Sequence, residues 1–239
     1  MRRLHYALVA LLLLDAPAAA RYPLEEEWNS KMVRSTQALR AGDYARALKI
    51  STSVTEDMVE SLGPGDDATF VFGVVLTHRA LALAGLRRYE EALWYWHIVL
   101  SLYPGFRSSD VGTFGEPGAF LSANPLPPEQ PHKDFDPTGF VYPKEISRKE
   151  PKFPEGARWF RVTGTLVVDV MITENGTVSS PRVITPLPAP TLSYAALEAI
   201  RKWRYEPGTR NGQPVPVPLT VKVTFKFKPE GEVGEAAVA

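Results

Sequence analysis

The chain has 239 residues, of which 44% are hydrophobic and 23% charged, a composition typical of one or two globular domains. Its 27 basic and 27 acidic residues leave no net charge, so nucleic acid and anionic membranes are not favoured as partners. The absence of cysteine excludes a disulfide, a thiolate metal site, a cysteine nucleophile and a lipid anchor on cysteine.

Residues 1–20 have the three regions of a secretory signal peptide. Arg2 and Arg3 precede an apolar run from Tyr6 to Leu14, and a stretch rich in alanine follows. We therefore expect cleavage after Ala20 and an exported mature protein. An uncleaved membrane anchor is the alternative, although this apolar run is far shorter than the roughly twenty residues that span a bilayer.

Residues 21–104 are predicted to form an all-α domain, because apolar side chains recur there at helical spacing between short breaks. The predicted helices are Trp28 to Ala41, Tyr44 to Leu62, Asp67 to Leu86 and Tyr89 to Tyr103.

Two segments of this helical region, 39–48 and 83–93, are similar to each other. Each places a tyrosine directly after the break and an alanine three residues later. Both resemble the middle of a tetratricopeptide repeat, in which this alanine packs against the preceding helix. The resemblance implies packing roles for Gly42, Tyr44, Ala47, Gly85, Tyr89, Ala92 and Trp96.

Two such repeats alone would be marginal, because each buries its apolar face mainly against a neighbour and about three are usual. The next segment could dock on the helices, the helices could close into a bundle, or a partner could supply the missing surface. The aromatic residues most open to such a partner are Trp94, Tyr95, Trp96 and Tyr103. Burial in the core is the alternative for them.

Residues 105–150 are rich in glycine and proline and show little apolar periodicity, which predicts an extended linker between two domains. A short ordered piece from Phe140 to Ile146 is compatible with its apolar residues. The tail, residues 229–239, is predicted to be disordered.

Two strands are predicted in residues 151–228, because Val162 to Ile172 and Val215 to Phe227 alternate apolar and polar side chains. Asn175-Gly176 after the first of them predicts a two-residue hairpin turn, so that Thr177 to Ile184 returns antiparallel.

A helix is predicted between the second and third of these strands. Apolar residues from Leu192 to Trp203 recur at helical spacing, with Thr191 or Ser193 placed to cap the first turn. The overall fold class is therefore α+β, with helical hairpins followed by one helix packed on a three-stranded antiparallel sheet.

Several motifs of this region, in the same order and spacing, resemble the C-terminal domain of TonB proteins. They are Pro151-Lys152-Phe153-Pro154, residues 164–168, residues 175–178, residues 195–207 and Gly212-Gln213-Pro214-Val215. The resemblance implies a periplasmic domain of a Gram-negative envelope that grips an extended segment of an outer-membrane receptor. A true energy-coupling TonB keeps an N-terminal helix in the inner membrane, whereas a cleaved signal peptide would leave none here.

The last strand is the predicted partner site. Prolines within sheets are confined to edges, strand starts and bulges, so Pro216 and Pro218 indicate an edge strand. The backbone groups offered to a partner strand would belong to Thr220, Val221, Lys222, Val223, Thr224, Phe225 and Lys226. The resemblance adds Pro151, Phe153 and Pro154, which match part of the family's Gln-Pro-x-Tyr-Pro stretch close to this strand.

Lys222 and Lys226 on this strand allow two interpretations. Charges on an edge strand block aggregation, or they steer an acidic partner.

No enzyme, cofactor, metal site or small-molecule substrate is predicted. His78, His97 and His132 are far apart in sequence, and no serine elbow or phosphate-binding glycine loop occurs.

The predicted function is a periplasmic adaptor that pairs by β-strand addition with an envelope or outer-membrane protein and holds a second protein on its helices. One alternative is a TonB-type energy transducer for receptor-dependent transport, either anchored in the inner membrane by a retained signal or coupled through the helices to a separate membrane protein. Another is a structural envelope protein that self-associates, for example as a homodimer.

Overall fold

The computed structural model of the chain describes residues 23–63, 69–103, 105–106, 108–127, 138–226 and 235–238. These residues fall into two compact units, one within Met1–Met58 and Asp66–Pro125 and the other within Val59–Gly65 and Leu126–Ala239. We call them the helical unit and the C-terminal unit. The expected signal peptide lies outside the described residues.

The helices predicted between residues 28 and 103 all form, with ends within two residues of those expected except that the first begins five residues earlier. They are α1 (Pro23–Arg40), α2 (Tyr44–Ser61), α3 (Thr69–Gly85) and α4 (Tyr89–Leu102). None of the helices in the described part of the chain is long and apolar enough to cross a membrane.

The turns between α1 and α2 and between α3 and α4 share one backbone pattern. The N–H of Asp43 and that of Arg88 each donate to the carbonyl oxygen five residues earlier, at 2.9 Å. The residue before each donor is left-handed, with φ of 76° at Gly42 and 59° at Arg87. The internal similarity of the sequence therefore extends to the fold, although only the first turn has the glycine that this conformation favours.

The linker predicted for residues 105–150 is wrong at its beginning. A 3₁₀ helix (Ser108–Phe114) and α5 (Gly115–Ala123) follow α4 within the helical unit. Leu121 of α5 is fully buried, and its carbonyl oxygen accepts a hydrogen bond from the indole Nε1 of Trp96 at 3.0 Å. The segment after α4 therefore docks on the preceding helices, which was one of the three solutions open from the sequence.

The C-terminal unit is built on a four-stranded antiparallel sheet. Its strands are β3 (Gly164–Ile172), β4 (Val178–Thr185), β8 (Val217–Lys226) and β9 (Glu235–Val238), in the spatial order β4-β3-β8-β9. Helix α7 (Pro190–Ile200) follows β4 in the chain, and its Leu192, Ala196 and Ile200 are fully buried. The predicted helix and three strands are thus confirmed, and β9 is a fourth strand.

The hairpin between β3 and β4 forms at the predicted place with a different turn. Thr173 N donates to Thr177 O at 2.8 Å, which leaves three residues in the loop. Gly176 has a positive φ of 72°, whereas Asn175 does not have a positive φ. This is the pattern of a three-residue loop with a glycine bulge, so the turn is one residue longer than the two-residue turn expected.

The first turn of α7 lacks the predicted side-chain cap. Ala189 occupies the N-cap position, and its side chain makes no capping hydrogen bond. The hydroxyl of Ser193 instead accepts a hydrogen bond from the N–H of Leu187 at 2.9 Å. Ser193 is fully buried and fixes the loop that enters the helix.

Short strands precede and follow α7 along the chain. They are β1 (Phe140–Val141), β2 (Lys144–Ser147), β5 (Arg204–Glu206), β6 (Thr209–Arg210) and β7 (Gln213–Pro214). β2 pairs with β5, and β1 pairs with β6, so residues 138–150 belong to the C-terminal unit and not to a linker. This agrees with the ordered piece considered from Phe140 to Ile146.

A buried tryptophan holds the segment that precedes the C-terminal sheet. The indole of Trp203 donates to the carbonyl oxygen of Lys149 at 2.9 Å, and the Arg148 guanidinium lies 4.6 Å from its ring centroid. Helix α6 (Glu155–Trp159) follows, before β3 begins.

Candidate functional site: the outer edge of strand β8

The register of β8 shows which way its backbone groups point. β8 pairs with β3 without a break from Val217 to Phe225. In an antiparallel ladder, N–H and C=O groups of alternate residues face opposite neighbours. Pro218 has no N–H, and a proline inside a sheet belongs where that group would face away from the paired strand. Counting in twos from this proline, the outward N–H groups belong to Thr220, Lys222, Thr224 and Lys226.

We call the side of β8 that faces away from β3 the outer edge. Along it, Thr220, Lys222 and Lys226 have exposed side chains. Val221, Val223 and Phe225 are buried in the core. By the same count, these three direct their N–H groups toward β3 and offer no amide to a partner on the outer edge.

Two polar cross-strand pairs hold β8 against β3. The hydroxyl of Thr220 donates to Oδ1 of Asp169 at 2.7 Å. The hydroxyls of Thr224 and Thr165 are 2.9 Å apart. These pairs keep the strand in register while its outer edge receives another strand.

Strand β9 occupies half of the outer edge. It runs antiparallel to β8, with the register Val223↔Val238, Thr224↔Ala237, Phe225↔Ala236 and Lys226↔Glu235. The predictions of a disordered tail and of a free edge are therefore wrong for residues 235–238 and for Val223–Lys226. An edge strand has unpaired backbone N–H and C=O groups, and these can pair with an extended segment of the same chain.

The Pro-x-Phe-Pro segment before α6 lies beneath β8. Phe153 is buried, and its ring meets that of Phe225 edge-on, with centroids 5.3 Å apart. Pro151 and Pro154 are buried as well. The sequence resemblance placed these residues near the last strand, and the structure places Phe153 against its core face instead of its outer edge.

Comparison with known protein families gives a match whose limits agree with this geometry. Residues 149–228 match the family described as the Gram-negative bacterial TonB protein C-terminal. The match begins at Lys149, whose carbonyl oxygen holds Trp203, and it ends just after β8. This part of the chain is a TonB C-terminal domain.

Curated relatives share this domain. The chain is 31% identical over 91 residues to "Protein TonB" of Escherichia coli K12, which covers 38% of the chain and 36% of the relative. It is 35% identical over 97 residues to "Protein TonB" of Salmonella typhimurium LT2, covering 41% and 37%. For "Protein TonB" of Klebsiella aerogenes the identity is 33% over 85 residues, covering 36% and 33%. The chain thus spans about a third of the length of these relatives.

The TonB C-terminal domain also has exposed aromatic side chains that the sequence reasoning missed. Trp159 is 86% exposed and Phe160 is 56% exposed, at the end of α6. The only sequence signal was two adjacent large aromatics between arginines, a pattern equally compatible with burial. They form a second surface on which a partner site can be tested.

Outside the TonB C-terminal domain, the residues predicted to pack the helices differ in burial, since Gly42 and Tyr89 are exposed and Tyr44 is half-buried. Ala47, Ala92 and Trp96 are fully buried. A Cβ on Gly85 would collide with the Tyr44 ring, so this glycine lets the ring approach the backbone of α3. The ring of Tyr89 lies 4.5 Å from that of Phe120 on α5.

Three of the four aromatic side chains that the sequence offered as an open surface do not form one. Trp94, Tyr95 and Trp96 are all buried, which favours the core alternative for them.

The histidines of the helical unit are buried polar groups. Burial lowers the pKa of His78 and that of His97 to about 4. His78 Nδ1 lies 3.0 Å from the hydroxyl of Ser35. Within the described ranges, no group of three or more His, Asp and Glu side chains is arranged to hold a metal ion.

Proposed function

We propose that this protein is a periplasmic TonB-like adaptor whose C-terminal domain binds an extended segment of an envelope partner by β-strand addition. The partner strand lies along the outer edge of β8. The observation that carries the proposal is β9 itself, because its antiparallel pairing with Val223–Lys226 supports an edge that can bind a strand. The proposed role is binding without catalysis, in keeping with the family of the domain.

Charge narrows the kind of segment that this edge binds. Lys222 and Lys226 are exposed at outward positions, four residues apart on one face of β8. An added strand places its own side chains beside them, so an acidic residue in the partner would be favoured and a basic one disfavoured. The partner in this proposal is therefore an acidic, extended segment of an envelope or outer-membrane protein.

The helical unit supplies the second binding surface of the adaptor in this proposal. Its support is the pair of equivalent helical hairpins, a form that resembles tetratricopeptide repeats and serves as a scaffold for protein contacts. We assign no surface of this unit to the second partner, because the aromatic side chains of α4 that could have formed one are buried.

A second candidate function is energy transduction for transport through outer-membrane receptors. The similarity to proteins named "Protein TonB" favours it. Edman sequencing of the protein purified from the envelope discriminates between the two functions. A first residue of Arg21 supports the adaptor, whereas retention of residues 1–20 in a salt-resistant membrane fraction supports the transducer.

The adaptor proposal is tested by photo-cross-linking in living cells. A photoreactive amino acid is placed at Lys222 on the outer edge, and the control carries it at Lys202, which is exposed just beyond the end of α7. We expect an envelope protein to be captured at position 222 and not at position 202. A third protein carries the photoreactive amino acid at Trp159. Capture of an envelope protein at position 159 alone would place the partner site at α6 and contradict the proposal.

Self-association is the third function to separate. The adduct formed at position 222 would then contain only a second copy of this chain. The mass of the purified protein would also rise with its concentration in sedimentation experiments, and the structural-protein alternative would replace the adaptor.

A further inference from the structure

We infer that the C-terminal strand β9 is an internal ligand of the outer edge of β8, which an envelope partner must displace in order to bind. This inference rests on the proposed function and adds a means of regulating it. It assigns a role to residues 235–238, which lie beyond the TonB C-terminal match that ends at residue 228.

The pairing of β9 uses the amides that a partner strand would use. Thr224 and Lys226 direct their N–H groups outward, and they stand opposite Ala237 and Glu235. In an antiparallel ladder, such residues form the hydrogen-bonded pairs, whereas Phe225 and Ala236 form the pair between them. A partner strand therefore cannot use these two positions while β9 is in place.

The composition of the tail fits a ligand that can be exchanged. β9 has only four residues, Glu-Ala-Ala-Val, so its ladder is short and its side chains are mostly small. Residues 229–239 include Glu230, Glu232 and Glu235 and no basic residue, which complements the exposed Lys222 and Lys226 of β8. The tail therefore carries the acidic character that we expect of the partner.

Tethering makes such a weak strand effective. A segment joined to its site through a short stretch of the same chain acts at an effective concentration of about 1 mM. The tail blocks the edge if its free peptide binds with a Kd below that concentration. A closed state that outnumbers the open state tenfold would weaken partner binding about elevenfold.

The register provides a matched pair of tail variants. Ala237→Pro removes an N–H that faces β8, whereas Ala236→Pro removes one that faces away from it. Both substitutions impose the same stiffness on the tail and differ in the hydrogen bond. Full-length proteins with either change are compared with the unsubstituted chain.

The probe is a synthetic peptide of residues 229–239 with a fluorophore at its N-terminus, and binding is followed by fluorescence anisotropy. We expect the Ala237→Pro protein to bind this probe with a Kd of about 0.1 mM or lower, since only then does a tail at about 1 mM outcompete the probe tenfold. The unsubstituted and Ala236→Pro proteins should bind it at least tenfold more weakly, because their own tails occupy the edge. A chain that ends at Lys228 should behave as the Ala237→Pro protein does.

Two results would overturn the inference. One is equal binding of the probe to the unsubstituted and Ala237→Pro proteins. The other is the absence of binding to both the Ala237→Pro protein and the chain that ends at Lys228 at 1 mM probe, in samples whose circular dichroism matches that of the unsubstituted protein.

Cross-linking at position 222 separates this inference from the proposed function. Partner capture that increases with Ala237→Pro supports both. Partner capture that is unchanged by Ala237→Pro leaves the adaptor in place and refutes the internal ligand. Probe binding as expected, without capture of any envelope protein from either variant, supports β9 as a ligand of the edge and refutes the adaptor.

Discussion

Replacing Thr224 by proline tests whether the outer edge of β8 binds the partner. The N–H of Thr224 faces the outer edge. Pro218 occupies an equivalent outward position six residues earlier, so this strand already tolerates a proline there. The substitution removes one outward N–H and the hydroxyl that lies 2.9 Å from the hydroxyl of Thr165. Thr224→Val removes the hydroxyl alone, so it is the matched control.

The expected magnitudes follow from these two groups. Loss of the hydroxyl pair should lower the free energy of unfolding by about 1 kcal/mol in both variants. Loss of the amide leaves the partner strand with an unsatisfied carbonyl, a penalty of roughly 1–3 kcal/mol on binding. We therefore expect Thr224→Pro to weaken binding at least tenfold, about 1.4 kcal/mol, and Thr224→Val to weaken it less than threefold.

The assay uses proteins that end at Lys228, because β9 pairs with Thr224 and would otherwise compete for the same amide. The segment of the partner that is captured at position 222 is synthesised with a fluorophore and titrated by anisotropy. Urea unfolding and circular dichroism establish that both variants are folded. If a folded Thr224→Pro protein bound the segment as tightly as the Thr224→Val protein does, the outer edge would not be the partner site.

Three further predictions concern the helical unit. Ala92 is fully buried, so Ala92→Asp should cost several kcal/mol and abolish the cooperative thermal unfolding of the helices; an unchanged melting temperature would contradict the packing role. Gly85→Ala drives a methyl group into the Tyr44 ring and should destabilise the unit by about 1–3 kcal/mol, and a smaller side chain at position 44 should restore part of that loss in a double-mutant cycle. Because burial lowers the pKa of His78 and His97 to about 4, the unfolded chain takes up protons below its ordinary histidine pKa of about 6.5 and the folded chain does not. Stability should thus be full above pH 6.5 and fall by up to about 3 kcal/mol for each histidine as the pH approaches 4, and urea midpoints that do not change between pH 7 and pH 4.5 would contradict this.

Local patterns were sufficient for most of the longer elements of this protein. The alternation in β3 and β8, the Asn-Gly dipeptide between β3 and β4 and the helical spacing in α1 to α4 each predicted an element that forms. These signals depend on interactions between residues that are near in sequence or on which face is buried. A strand with every second residue apolar has only one way to bury that face.

The segment after α4 could not be predicted in this way. Residues 108–123 contain glycine, proline and few apolar residues in any period, yet they form a 3₁₀ helix and α5. What stabilises them is distant in sequence, since the carbonyl of Leu121 accepts a hydrogen bond from the indole of Trp96 and Leu121 fills the core. The same reason applies to residues 138–150, which are held by Trp203 and by pairing with β5 and β6.

At the candidate site, the sequence by itself determined that β8 is a strand, which of its side chains face the core, and where prolines interrupt its amides. Only the tertiary structure decided which strand lies on each side of it. Alternation defines the two faces of a strand, but it carries no information about neighbours along the hydrogen-bonding direction. Glu-Ala-Ala-Val at residues 235–238 has little strand preference of its own, and it becomes β9 because β8 presents amides at Thr224 and Lys226 that a nearby segment of the same chain can pair.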